Sequence, residues 1–317
     1  MISRSTLVGA LVVTELVIVA AAGQAIGGSG PAYASGPAPG THTHFGIVFH
    51  DRRHNDAPAV TSTVDKTFAA GGLTPHVVVD VSDVPVTVQT GGAPAVHVLG
   101  TVRKSGFANA EDGAITAVQT SDGVRVSASE TSDVQGSFQR TLRLTVPPGA
   151  LVEIASGGAI EASGLRAKLI AHVNDGAIAV SNHRGDVDVT TASGAVNLVD
   201  VQSDAIVAHT DDGHVKLTSV GADHFDVHTA SGEIAATDVR AVDGALTTAD
   251  GAVAVTFAAS SDANVNLHTS DGSIMGAGPG DTSQSAESRS MRLGSARGSF
   301  TVSTDSGSIT ISQGAKV

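Results

Sequence analysis

Histidine is the residue best placed to do chemistry in this sequence. The chain has 317 residues with 13 His and no Cys. His172, His209, His228 and His268 each stand four residues before a Gly that recurs along the C-terminal half. If those positions stack, His209 and His228 come about 5 Å apart, the distance between neighbouring strands. Paired imidazoles can ligate zinc, copper or nickel, or form a patch whose charge responds to pH. No carboxylate stands in the same column to complete a ligand set, so solvated side chains on a strand surface are the preferred reading. These four remain the candidate metal ligands, and no metal is assigned. A second group, His42, His44, His50 and His54, lies beside Asp51, Arg52, Arg53 and Asp56. It reads as a solvated tail, because a metal site needs ligands positioned by a fold.

Other chemistry is missing. Without Cys there is no disulfide, thiolate nucleophile, Cys-ligated zinc or lipidated N-terminal Cys. The glycines punctuate strands and do not open helices as phosphate loops do, and no G-x-S-x-G elbow occurs. Pairs such as Asp186 and Asp188, or Asp211 and Asp212, show no spacing that separates a glycosidase pair from ordinary surface carboxylates. A net charge of -13 disfavours nucleic acid, whose phosphates must be met by Lys and Arg. The expectation is a non-catalytic protein with no cofactor.

The elements that position the histidines come from a repeat. A small or acidic residue, then Gly, any residue, and Ile or Val recurs at Asp175-Gly176, Ser193-Gly194, Asp212-Gly213, Ser231-Gly232, Asp250-Gly251, Asp271-Gly272 and Ser306-Gly307, after a first copy at Ser156-Gly157. From Gly157 the intervals are 19, 18, 19, 19, 19, 21 and 35 residues, the last being one period plus an insertion near 276–290. Apolar residues fall seven and five before each Gly and two and four after it, as in Phe225, Val227, Ile234 and Ala236. Side chains alternate in a strand, so these positions point inward. Residues 151–312 therefore predict an all-β solenoid of about eight two-strand coils of roughly 19 residues. So narrow an interior suits a chain that is 41% hydrophobic but 3% aromatic.

The register sets two further columns. Three before the Gly stand Thr191, Thr210, Thr229, Thr248, Thr269 and Thr304, whose hydroxyls can serve neighbouring backbone while their methyls pack. One before the Gly, Asp and Ser interleave, which separates charges that would repel if stacked directly. The glycines themselves are expected to supply positive φ at the turn.

Upstream, residues 60–150 alternate β-branched and polar residues between turn signals, as in Val77, Val79 and Val81, and read as a short antiparallel β module capping the solenoid. Residues 35–59 read as a flexible linker containing Gly, Pro and His. Residues 1–34 contain Arg4, an apolar stretch from Leu7 to Ala22 interrupted by Thr14 and Glu15, and Ala32-Tyr33-Ala34. That pattern predicts a signal peptide or N-terminal anchor, the apolar run being shorter than the roughly 20 residues of a comfortable span. The expected location is the periplasm, cell surface or extracellular space, with membrane anchoring through the N-terminal segment as one form. Since no sortase-like tail or further span follows Ile311, any anchor is expected at the N-terminus or on a partner.

At Thr145-Val146-Pro147-Pro148-Gly149-Ala150, followed by Val152 to Gly157 and the Gly-x-Ile/Val series, the sequence resembles the bacterial putative adhesin domains of unknown function. The resemblance spans roughly residues 64 to 312. It implies a β region leading through a Val-Pro element into a short-repeat β-solenoid of the cell envelope or surface, with an unknown protein or polysaccharide as ligand. It brings no catalytic residues. An envelope-stress sensing or signalling partner and a polysaccharide-active β-helix enzyme are the alternatives.

Overall fold

The structure is a computed structural model that describes residues 60–70, 74–106, 113–129, 136–276, 283–284 and 287–314. The N-terminal segment, the linker and His42, His44, His50 and His54 lie outside the described residues. Among the described residues every regular element is a strand, and all belong to one continuous sheet.

The repeat forms as its periodicity requires. Each coil places one strand on a front face and one on a back face, and successive coils pair in parallel. His172 lies beside Thr190, Thr190 beside His209, and His209 beside His228 on the front. On the back, Ile178, Val196, Val215, Ile234 and Val253 stack in register. The inward residues are buried throughout, Val189, Ala208, Val227 and Leu246 being 0% exposed. Three phenylalanine rings cluster in the core. Phe300 meets Phe225 at 5.8 Å and Phe257 at 5.5 Å, both edge to face. Gly244 lies between Phe225 and Phe300 in the ladder at a φ of 127°, and a Cβ there would lie 2.1 Å from the Phe225 carbonyl oxygen.

The front and back faces meet at two corners. At the first, Thr191, Thr210, Thr229 and Thr248 are buried, and their Oγ1 atoms donate to the carbonyls of Gly176, Gly194, Gly213 and Gly232, each at 3.0 Å. The Gly194 and Gly213 amides donate in turn to Thr191 and Thr210 at 3.1 Å. The reason for Gly here differs from the one expected. None of the repeat glycines has positive φ. A Cβ on Gly194, Gly213 or Gly232 would instead lie 1.9 Å from the carbonyl oxygen of the preceding glycine. The column is glycine because backbones approach too closely for any side chain. Left-handed residues occur at the second corner, at Asn182, Asp200, Ser219 and Asp238, with φ between 51° and 57°. Asn and Asp tolerate that conformation better than other side-chain-bearing residues.

The solenoid extends beyond 151–312. Residues 60–150 do contain antiparallel pairs: Val60–Ala69 with Ala95–Gly106, that strand with Gly136–Val146, and Ile115–Gln119 with Gly123–Ala128. The same segment also supplies two parallel coils. His76–Val81 and Val86–Thr90 stack on Leu151–Ser156 and Ile160–Ser163. Gly123–Ala128 and the end of Gly136–Val146 stack on their other side. With the eight coils of the repeat, the stack has ten. The repeat motif marks eight because the first two coils lack the Gly-x-Ile/Val turn.

Chain order and stacking order differ at both ends. His76–Thr90 occupies the slot between residues 123–146 and 151–163. At the far end Gly298–Gln313 enters between Asp243–Phe257 and Ala263–Gly276. This slot completes the Asp/Ser column. Stacked, it runs Asp175, Ser193, Asp212, Ser231, Asp250, Ser306, Asp271, whereas chain order would place Asp271 against Asp250. The insertion expected near 276–290 runs into Ser288–Arg292, which pairs antiparallel with the outer edge of the last coil's front strand. An exposed parallel edge would template association, and this strand covers the front part of it.

Candidate binding face

Outward residues of the front face fall into three columns. One runs His172, Thr190, His209, His228, Thr247, Ser303, His268. The next runs Glu153, Ile170, Asp188, Val207, Asp226, Ala245. The third includes His76 at one end and Ala205, His224 and Asp243 farther along. Six of the nine described histidines, His76, His172, His209, His224, His228 and His268, therefore lie on one face. Of the others, His97 is bonded to Asp65 at 2.7 Å, His214 accepts the Glu233 amide through Nδ1 at 3.2 Å, and His183 faces the core.

The four expected ligand candidates are not brought together as one group. His209 and His228 are neighbours, with ring centroids 6.0 Å apart and planes at 84°. Thr190 separates His172 from His209, and Thr247 and Ser303 separate His268 from His228. Chain order places one coil fewer between His228 and His268, because the slotted coil carrying Ser303 is not evident from sequence. The structure also adds a residue that column reasoning missed. Asp226 lies two residues before His228 on the same face, and its Oδ1 is 3.4 Å from His209 Nε2. Parity shows that they share a face, but the diagonal reach between columns depends on side-chain direction. His209 Nε2 makes no hydrogen bond, so its contact with Asp226 gains strength only when the imidazole is protonated. Among the described residues no group of three or more His, Asp or Glu forms a metal-ligand set.

A second His-carboxylate contact lies at the N-terminal end of the face. His76 has Nδ1 3.5 Å from Asp122 and Nε2 3.4 Å from Glu153, carboxylates belonging to the coils on either side. The Thr120 hydroxyl donates to Asp122 at 2.9 Å, and this bond leads the interactions that hold the Asp122 carboxyl below its ordinary range. Together these contacts give the face alternating imidazoles and carboxylates among hydroxyls. Such a surface presents acceptors and donors in rows at the strand spacing of about 4.8 Å. It can bind a polar partner by many weak contacts.

His183 has a different environment. Its side chain occupies an inward column with Val201, Val220 and Val239, is 0% exposed, and has neither ring nitrogen hydrogen-bonded. Burial pushes its pKa below the ordinary histidine value. It is therefore part of the core and does not contribute to the front face.

Among curated proteins no relative matches this sequence. Solved structures similar to it include a putative adhesin from Parabacteroides distasonis, 10% identical over 82% of this chain and 98% of its own, with a TM-score of 0.48. A putative adhesin from Bacteroides fragilis is 9% identical over 78% of this chain and 96% of its own, with a TM-score of 0.47. One from Parabacteroides merdae is 12% identical over 81% and 96%, with a TM-score of 0.46. Residues 75–312, from the first solenoid coil through the slotted C-terminal strands, match the model of the Toastrack DUF4097 family, and the chain belongs to that family.

Proposed function

We propose that the protein is a non-catalytic, exported module of the cell envelope or surface that binds a protein or polysaccharide ligand through the front face of its solenoid. The observation carrying this reading is the concentration of six histidines with Glu153, Asp188, Asp226 and Asp243 on that face. Outward positions on a solenoid are not fixed by core packing, so a composition confined to one face is consistent with selection for contact. The apolar segment before Ala32-Tyr33-Ala34 supports export, and the adhesin descriptions of the similar structures agree with a surface role.

Fractionating cells and sequencing the N-terminus of the mature protein tests the location. Recovery in an envelope or extracellular fraction is expected, and an unprocessed chain in the cytoplasm would overturn the reading. Binding of purified protein to envelope preparations tests the face. The triple variant His209→Ala, Asp226→Ala, His228→Ala should lose at least about fivefold in affinity while its melting curve stays within about 0.5 kcal/mol of wild type, as exposed substitutions usually do. Undiminished binding by a folded triple variant would exclude the front face.

A further inference from the structure

A depression at the second corner has the chemistry of a small binding site. It is an open hollow of about 320 Å³, lined by Gly185, Asp186, Gln202, Ser203, Asp204 and Arg240. That volume lies at the lower end of the range of ligand pockets, ~300 to 1,000 Å³. Beside it runs a row of long polar side chains, two of which, Gln202 and Arg240, line it. Arg184, Gln202, Gly221 and Arg240 stack in register on successive coils, and Gly221 contributes no side chain. A Cβ there would lie 2.6 Å from Gln202 Oε1 and 3.0 Å from Arg240 Nε, so both side-chain ends lean over the glycine.

The two arginines of the row differ in their commitments. Arg184 donates from Nη1 to the Asp200 carbonyl at 2.9 Å and from Nη2 to its Oδ1 at 3.1 Å. Arg240 has its Nη1 3.7 Å from Asp223 Oδ1, too far for a hydrogen bond, and stands at the rim of the depression. Asp186 is held in place, its Oδ1 accepting the Ala205 amide at 3.1 Å and lying 3.3 Å from Ser203 Oγ. The site thus offers guanidinium and amide donors on one side and the Asp186 and Asp204 carboxylates on the other.

We infer that this depression binds an uncharged hexose unit of a polysaccharide. Each hydroxyl of such a ring both donates and accepts, and adjacent carboxylate and guanidinium or amide groups meet both needs. Two carboxylates against one guanidinium disfavour phosphate, sulfate and uronic acid ligands. The lining has no aromatic ring to stack on the sugar, so a single site binds weakly and a repeating polymer gains by multivalency. The inference rests on the surface-binding reading, for which it names a ligand class.

The test is a titration of the ¹⁵N-labelled protein with methyl glucoside, methyl galactoside and methyl mannoside, with glucuronate as the charged control. Backbone amide shifts at 202–204 and 240 should move with at least one neutral hexoside and saturate with a Kd on the order of 1 mM, glucuronate binding at least about tenfold more weakly. Arg240→Ala, and separately Asp204→Ala, should each weaken the response at least about fivefold with the melting curve preserved. No shift with any neutral hexoside at about 100 mM, equal binding of glucuronate, or an unchanged response in both variants would overturn the inference. Failure of the surface reading is distinguishable: hexoside shifts from a chain that stays in the cytoplasm leave the depression assigned and the location wrong. Envelope binding that survives loss of the hexoside response leaves the location standing and the depression unassigned.

Discussion

The two faces of the solenoid are built from the same coils around the same core, yet they differ in what they show to solvent. The front carries His172, His209, His228 and Asp226. The back carries Ala179, Asn197, Lys216, Ala235 and Ala254 in one column and Ser181, Val199, Thr218, Thr237 and Thr256 in the next, with no histidine in either; His214, at the first corner, is the back's one outward histidine among the described residues. Inward positions cannot explain the contrast, because both faces bury small and branched aliphatic residues equally well. Strand propensity cannot explain it either, since Ala and Asn are poor strand formers and occupy the back. Composition therefore separates into a part set by the core and a part set by what each face meets.

The largest perturbation tests whether the faces share one core. Val227 lies under the front face and Ile234 under the back, both 0% exposed. Val227→Asp and Ile234→Asp should each cost on the order of 4 kcal/mol or more and abolish the cooperative melting transition, because either buries an unpaired charge. An unchanged melting curve for one of them would separate the faces into independent units.

The corners provide the next contrast. Gly213→Ala places a methyl against the Gly194 carbonyl and should cost about 2 to 4 kcal/mol. Gly221→Ala meets only the ends of Gln202 and Arg240, which can move, and should cost about 1 kcal/mol or less. Equal melting temperatures for the two variants would contradict the close backbone approach at the first corner.

His183 gives the smallest effect and one that depends on pH. Its folded pKa lies below the unfolded value, so the unfolded chain takes up the proton first as pH falls. The stability associated with neutral His183 is complete above about pH 6.5 and declines as pH falls from there through the folded pKa. His183→Leu should remove that decline and, by replacing two unpaired ring nitrogens, add about 1 kcal/mol at neutral pH. Parallel pH profiles for wild type and variant, measured by denaturant unfolding, would show that the buried imidazole does not set the acid limit.

Much of this architecture was legible from spacing. The Gly interval fixed the coil, parity fixed which side chains point inward, and the Thr column received the backbone partners its position required. What spacing could not show is which coil follows which in space. Nothing in the residues of 298–313 distinguishes a terminal coil from a slotted one until the Asp/Ser column is read as a stack. The first two coils were hidden for a related reason: their turns lack the repeat signature, so parallel partners 47 and 75 residues apart resembled ordinary β hairpins. The histidine column was visible as a column. The Asp226 contact and the depression beside Gln202 and Arg240 were not, because both depend on side-chain reach between rows.

The slotted C-terminal coil bears on how the chain assembles. A solenoid whose coils stack in chain order can grow at its tip as each repeat becomes available. Here residues 263–276 find their parallel partner only in strands that come later in the chain. Assembly of that end must wait for the last strands, and a chain shortened before Gly298 would lose an interior layer while keeping the outermost one unsupported. Residues 298–313 thus act as a keystone, closing the stack by entering between two coils that precede them in the chain.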